Sequence, residues 1–322
     1  MTLIMALIDR NHVLQVGDRL TSRQYRGLVS GTTFRKPHEE LSNKAAIYVA
    51  TDAVVVASYT GVSYIKGKNT DTWIAKALAP VTVHDDQYSF SIDSSEQSVA
   101  LDVAVRRLAQ RLQEDFSTMA ANKRDGGLAI QVVGWQWQQR PPNSERPIRW
   151  LISIGDESGA TTSIDRLPRH WGWENNQYHF EAMGDRRSNP KDMMKRWLDQ
   201  RNNEGQPFTI DDVEGAMVDT IRTASDKSGG SIGRNCISVL LRLSDANARV
   251  RYFPDSVKPL YPVFTPWIIA PGAGSMAPTV FLGGLPTVNL HGLEVIFERI
   301  GPATDPPGYG AMRSWPRRPE PR

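Results

Sequence analysis

Near its amino terminus the chain reads Thr2-Leu3-Ile4-Met5-Ala6-Leu7-Ile8-Asp9-Arg10-Asn11-His12-Val13-Leu14-Gln15-Val16-Gly17-Asp18, and this segment fixes the kind of fold to expect. Thr2 to Ile8 is almost continuously apolar, the turn formers Asp9, Arg10 and Asn11 interrupt it, and HVLQVGD resumes with β-branched residues. This pattern predicts a strand, a tight turn and a second strand, both largely buried.

Residues 23–43 are polar and punctuated by Gly and Pro, and read as a long connection. KAAIYVAT and AVVVASYTG then form a second strand pair around Thr51-Asp52, so four strands precede any helix. From Asp71 a short helical stretch, DTWIAKALA, leads through a polar loop to a long amphipathic helix. There Leu101, Val105, Leu108, Leu112, Phe116 and Met119 recur at three-and-four spacing, with Ser94 and Gln97 as the expected capping box. Strands return in LAIQVVGWQW, IRWLISIGD and QYHFEAMG. Helices follow at 190–203, with Asn189 as cap and Pro190 in the first turn, and at 210–225, capped by Thr209. NCISVLLRLS and ARVRYF read as further strands. No internal repeat is visible.

Strands and helices grouped in blocks argue against alternating βαβ winding and for an α+β protein. The expected architecture is a four-layer αββα sandwich, two central sheets between two helix layers, over residues 1–253. Beyond Pro254, prolines at 259, 262, 266, 271, 278 and 286 punctuate short apolar runs, which predicts an irregular or β extension over 254–300 packed on that domain. Residues 301–322 hold six prolines and four arginines, too little apolar surface to offset ordering, and are expected to be a disordered tail.

The composition narrows the function classes. Hydrophobic residues at 40% and charged residues at 23% are ordinary for a globular chain, and 38 basic against 35 acidic residues provide no broad phosphate-binding surface, so no nucleic-acid partner is expected. Cys236 is the single cysteine, which excludes an internal disulfide and a cysteine zinc site. The apolar runs fall short of the ~18 residues a membrane helix needs, and the amino terminus lacks the basic flank of a signal peptide, so a cytoplasmic protein with no membrane partner is expected.

Some motifs fail on context. Gly229-Gly230-Ser231-Ile232-Gly233 matches G-x-S-x-G, but a helix precedes it and a strand follows, the reverse of a nucleophile elbow, so it reads as a glycine helix stop. The six histidines form no H-x-x-x-H or H-E-x-x-H pair, and no metal is expected.

Thr2 is the residue that survives this filter. Its side chain is small enough for initiator methionine removal to be expected, leaving an amino-terminal threonine at the start of a buried strand. One residue would then carry the hydroxyl nucleophile and an α-amine whose pKa of about 7.7–8.0 suits a base at neutral pH. Asp18 follows the second strand and can meet Thr2 across the hairpin. Lys44 begins the third strand, where a partly buried ammonium would lower the hydroxyl's pKa, and Gly61 ends the fourth, where a bare N–H can face an oxyanion.

These residues resemble the proteasome β-subunit group of amino-terminal nucleophile hydrolases and their bacterial ring-protease relatives. Gly17-Asp18-Arg19-Leu20-Thr21 resembles the family's "(A/G)D" near a following Thr, at the family's spacing from the nucleophile. Ser42-Asn43-Lys44-Ala45-Ala46-Ile47 is similar to its catalytic-lysine segment, and Ala57-Ser58-Tyr59-Thr60-Gly61 to its glycine turn. Val133-Gly134-Trp135 and Trp150 to Gly159 are similar to its central hairpin. Glu181-Ala182-Met183-Gly184 is similar to the segment before its third helix, and Asp226-Lys227-Ser228-Gly229-Gly230 to its "D-x-x-S-G-G" support.

The resemblance covers residues 2–244. It departs at Asp185, which stands where the family places serine, at the one-residue-shorter Asp18–Thr21 and Asp226–Ser228 gaps, and at the long 23–43 loop. It implies a threonine-type hydrolase of amide or peptide bonds acting on a peptide or small amide. Thr2 would be the nucleophile, Asp18, Lys44 and Gly61 its electrostatic partners, and Asp226 and Ser228 its support. No cofactor is implied, and a homo-oligomer is compatible with it. A catalytically silent relative serving as a structural or interaction module is the alternative, and a retained Met1 would select it.

Overall fold

The computed structural model describes residues 2–26, 33–39, 42–79, 81–83, 90–92, 98–120, 124, 127–137, 145–155, 162–166, 178–184, 188–205, 207–243, 247–255, 265–271, 274–276, 287–290 and 293–299. It is a mixed α/β protein, rich in sheet, with four helices among the described residues. The first half runs β1 (Leu3–Ile8), β2 (His12–Asp18), β3 (Thr21–Arg26), β4 (Thr33–Glu39), β5 (Ala45–Val49), β6 (Ala53–Gly61), β7 (Tyr64–Ile65), β8 (Lys68–Asn69), α1 (Thr70–Leu78), β9 (Val81–Val83), β10 (Phe90–Ile92) and α2 (Leu101–Ser117). There follow β11 (Leu128–Trp137), β12 (Glu145–Ile154), β13 (Ser163–Arg166), β14 (His179–Gly184), α3 (Pro190–Asn203), α4 (Ile210–Lys227), β15 (Cys236–Arg242), β16 (Asn247–Phe253), β17 (Trp267–Ala270), β18 (Gly274–Met276), β19 (Thr287–Leu290) and β20 (Leu293–Arg299).

Two seven-stranded sheets dominate. One has the order β14-β1-β2-β15-β16-β20-β19, the other β13-β12-β11-β6-β5-β17-β18. The continuous apolarity of β1 follows from alternation in a strand buried on both faces. Leu3, Met5 and Leu7 join Val213, Met217 and Ile221 of α4, whereas Ala6 and Ile8 join Ile47, Val56 and Val133 of the other sheet. Likewise Val55, Ala57 and Tyr59 of β6 pack with Trp73 of α1 and with Leu108 and Leu112 of α2. Each such large side chain contributes about 1.5–3 kcal/mol on burial, so the three clusters hold the sheets and helices in place.

The helices at 190–203 and 210–227 appear where capping residues predict them. Thr209 accepts from the Asp212 backbone, and the Asp212 side chain returns the bond. The start of α2 differs from expectation. Ala100 occupies its N-cap position without a side-chain cap, and the Leu101 N–H donates to Asp52 Oδ1 at 2.8 Å, so a turn distant in sequence supplies the cap. The expected box at Ser94 and Gln97 lies outside the described residues.

Within the connection expected at 23–43, β3 and β4 form a two-stranded ladder of their own. A polar hairpin paired only with itself carries no hydrophobic alternation to announce it. The chain after Pro254 enters both sheets: β17 pairs in parallel with β5, and β20 in parallel with β16. The tail at 301–322 lies outside the described residues. No described helix is long and apolar enough to cross a membrane.

Candidate active site

The β1–β2 hairpin creates the first contact. Ile4 faces Gly17, so the next step along the register sets Asp18 against the start of β1, where its Oδ1 accepts the Leu3 N–H at 2.8 Å. Asp18 Oδ2 accepts the Leu20 N–H at 3.1 Å, the Gly233 N–H at 3.0 Å and Lys44 Nζ at 3.0 Å. All four partners are donors, the set that a carboxylate accepts, and the side chain is wholly buried.

Lys44 sits at the entry to β5, 2% exposed. Its ammonium donates to Thr2 Oγ1 at 2.7 Å, to Asp18 Oδ2 and to the Leu20 carbonyl, so its three protons have three acceptors. Burial pulls this ammonium below the ordinary lysine range, and the Asp18 charge restores only part of the loss. Thr2, 6% exposed, therefore receives a charge-assisted hydrogen bond in a water-poor setting.

Glycines permit the close approaches around Thr2. At Gly184, φ is +110°, and a Cβ there would overlap the Thr2 carbonyl oxygen and come within 3.1 Å of Thr60 Oγ1. The end of β6 is thereby set beside Thr2. At Gly233, a Cβ would lie 2.6 Å from Leu20 Cβ, the residue that bonds both Asp18 and Lys44.

Gly61 lies at this same end of β6. Val62 N–H donates to the carbonyl of Gly127, the residue before β11, so by antiparallel alternation the Gly61 N–H points away from β11. On that other side the β5 ladder already ends at Ser58, which leaves the donor outside the sheet register.

Ser228 caps the carboxyl end of α4. Its Oγ accepts the N–H groups of Ser231 and Ile232 at 3.2 and 3.1 Å and donates to the Ser225 carbonyl. It shapes the turn that delivers Gly233 to Asp18, and its hydroxyl's hydrogen bonds stay within that turn. Asp226 faces solvent, 65% exposed, and pairs with Arg234. Asp185 lies outside the described residues. The structure thus brings together Thr2, Asp18 and Lys44, sets the end of β6 nearby, places Ser228 in the turn that leads to Gly233 and leaves Asp226 on the surface.

Sequence reasoning missed the contributions of Gly233, Leu20 and Asn43. Gly233 was visible only inside a rejected motif, and Leu20 acts through its backbone, which leaves no side-chain signature. Cys236 lies opposite Asp18 in the β15–β2 ladder, where burial first, and then the Asp18 charge, push its thiol up, so it stays protonated. Among the described residues no group of three His, Cys, Asp or Glu side chains could hold a metal ion.

No known protein family matches this sequence, and no curated protein matches it. Among solved structures the chain is similar to Anbu (ancestral beta-subunit) from Yersinia bercovieri, at 13% identity and a TM-score of 0.40, over 74% of this chain and 81% of that one.

Proposed function

We propose that this protein is a threonine-type amino-terminal nucleophile hydrolase of amide or peptide bonds, built as a four-layer αββα sandwich. The observation that carries this reading is the 2.7 Å contact from Lys44 Nζ to Thr2 Oγ1, with Asp18 behind the lysine. A layered arrangement is supported by the three apolar clusters, one between the sheets and one under each helix pair.

Once the Thr2 α-amine is free, Thr2 Oγ attacks the amide carbonyl carbon and its proton passes to that amine, directly or through one water. The Lys44 ammonium stabilises the anionic character that develops on Oγ, and Asp18 keeps Lys44 charged and aimed. The Gly61 N–H serves the carbonyl oxygen as it becomes negative. The leaving amine takes the proton, and water then cleaves the acyl ester to regenerate Thr2.

The deciding experiment is intact-protein mass spectrometry after exposure to an electrophile that bonds a hydroxyl and an amine on adjacent carbons. One adduct mapped to Thr2, absent in Thr2→Ala, is the expected result. Undiminished labelling of Thr2→Ala, or no labelling of protein that begins at Thr2, overturns the reading.

A further inference from the structure

Lys44 lies one residue outside the β5–β6 ladder and two outside the β5–β17 ladder. The register of β5 with β6 begins at Ala45 opposite Ser58, and that with β17 begins at Ala46 opposite Trp267. A lysine side chain has four rotatable bonds, so its reach to Thr2 depends on what fixes its backbone from the other side.

That side is Asn43, a buried amide 3% exposed. Its Nδ2 donates to the Thr265 carbonyl at 2.6 Å, across 222 residues of chain, and its Oδ1 accepts from Arg19 Nη2 at 3.3 Å. Arg19 directly follows Asp18, its Nε donates to the Ser42 carbonyl at 3.4 Å, and its own carbonyl accepts the Ser42 N–H at 2.9 Å. Its guanidinium stacks over Tyr252 at 5.2 Å. One amide therefore ties together the segment after Asp18, the residue before Lys44 and the start of the carboxyl-terminal strands.

We infer that Asn43 is a positioning residue for Lys44, and that the segment at Thr265 supplies the fixed point against which the lysine is aimed at Thr2. This rests on the reading of Thr2 and Lys44 as the reacting pair. The Asn43 side chain bonds Arg19 and Thr265 and neither Thr2 nor Asp18, so its effect passes through the backbone of Lys44. With the amide gone, the ammonium gains freedom to leave its three acceptors and take up water. A purely structural asparagine would lower stability and leave the lysine's proton equilibrium where it is.

The test compares full-length wild type, Asn43→Leu and Asn43→Gln by two readouts. The first is the titration of the Lys44 side chain by heteronuclear NMR, the resonance assigned by its loss in Lys44→Arg. The second is the pH dependence of Thr2 capture by the electrophile. Folded Asn43→Leu should show a Lys44 midpoint raised by about half a pH unit or more as solvation is regained. Its capture of Thr2 should slow about tenfold or more, as expected for a reacting pair displaced by a fraction of an ångström. Asn43→Gln, which keeps both a donor and an acceptor, should recover part of each. Should the leucine variant fail to fold, Asn43→Ser is read in the same two ways. A folded variant whose Lys44 midpoint equals wild type overturns the inference, whatever its melting temperature. Absence of capture in wild type counts against the hydrolase reading alone, because the titration still decides the role of Asn43.

Discussion

The Lys44 ammonium nitrogen stands 2.7 Å from the Thr2 hydroxyl oxygen, although 42 residues separate the two in the chain. The contact spans both sheets: Thr2 leads into β1 of one and Lys44 into β5 of the other. Asp18 accepts from Lys44 at 3.0 Å and from the Leu3 N–H at 2.8 Å, which ties the lysine back to the strand that carries the threonine.

If Thr2 is the nucleophile, the mature protein should begin at Thr2 with a free α-amine. Intact mass and amino-terminal sequencing of purified protein check this. Molecules that mostly retain residues before Thr2 would remove the enzymatic reading and leave the fold untouched.

Lys44→Ala should slow electrophile capture on the order of 10²-fold or more, the size seen when one electrostatic stabiliser of an oxyanion is lost. It should also destabilise the fold by about 3–5 kcal/mol, because Asp18 is left as a buried charge without its counter-ion. Thr2→Ala should abolish capture at a much smaller cost in stability. Denaturant melts run beside the labelling assay separate the two effects.

Gly233→Ala should lower stability by about 1–3 kcal/mol, since the added methyl enters a space already filled by Leu20. It should also reduce capture, because the Gly233 N–H is one of the four donors that hold Asp18. Gly229→Ala makes a control: no atom lies within 4 Å of its Cβ position, though its φ of +62° carries a backbone cost of its own. Loss of stability without any loss of capture in Gly233→Ala would show that this donor is dispensable.

Acid stability should depend on Glu181. Burial alone would raise its carboxyl, but hydrogen bonds from His179 and Lys191 and the nearby Arg149 charge hold it at about 2, against an ordinary 4.5. A depressed carboxyl contributes stability that is complete above the unfolded value and is lost as pH falls through the folded one. The window therefore runs from pH 4.5 down to about 2, with a loss on the order of 1 kcal/mol once solvent screening of this half-buried group is counted. Melting temperature against pH should fall less steeply across that window in Glu181→Gln than in wild type, and identical slopes would refute the assignment.

Lys44 has the opposite linkage. Because its folded value is lowered, the unfolded chain binds this proton more readily, and the burden on stability eases as pH rises from the folded value towards 10.5. Wild type should therefore gain stability relative to Lys44→Met as pH climbs through that interval. A difference that does not change with pH would argue that Lys44 titrates normally.

Local pattern alone determined much of this protein. The uninterrupted apolar run of β1 marks a strand buried on both faces, the three-and-four spacing from Leu101 marks α2, and Thr209 marks the start of α4. A threonine at the head of β1, a carboxylate at the end of β2 and a lysine at the head of β5 were legible as candidates, because strand ends fix where such groups emerge. Which of them meet depends on how the two sheets pack. Tertiary packing set Lys44 against Thr2 and left Asp226 in solvent, and it brought the backbone N–H groups of Gly233 and Leu20 to Asp18 beside that of Leu3 and Lys44 Nζ. It also folded residues after Pro254 into both sheets, so that Thr265 reaches Asn43. The difference lies in the range of the signal. Hydrophobic period and caps are written in neighbouring residues, whereas backbone hydrogen bonds and parallel strand pairing join positions hundreds of residues apart and leave no mark on the side chains that form them.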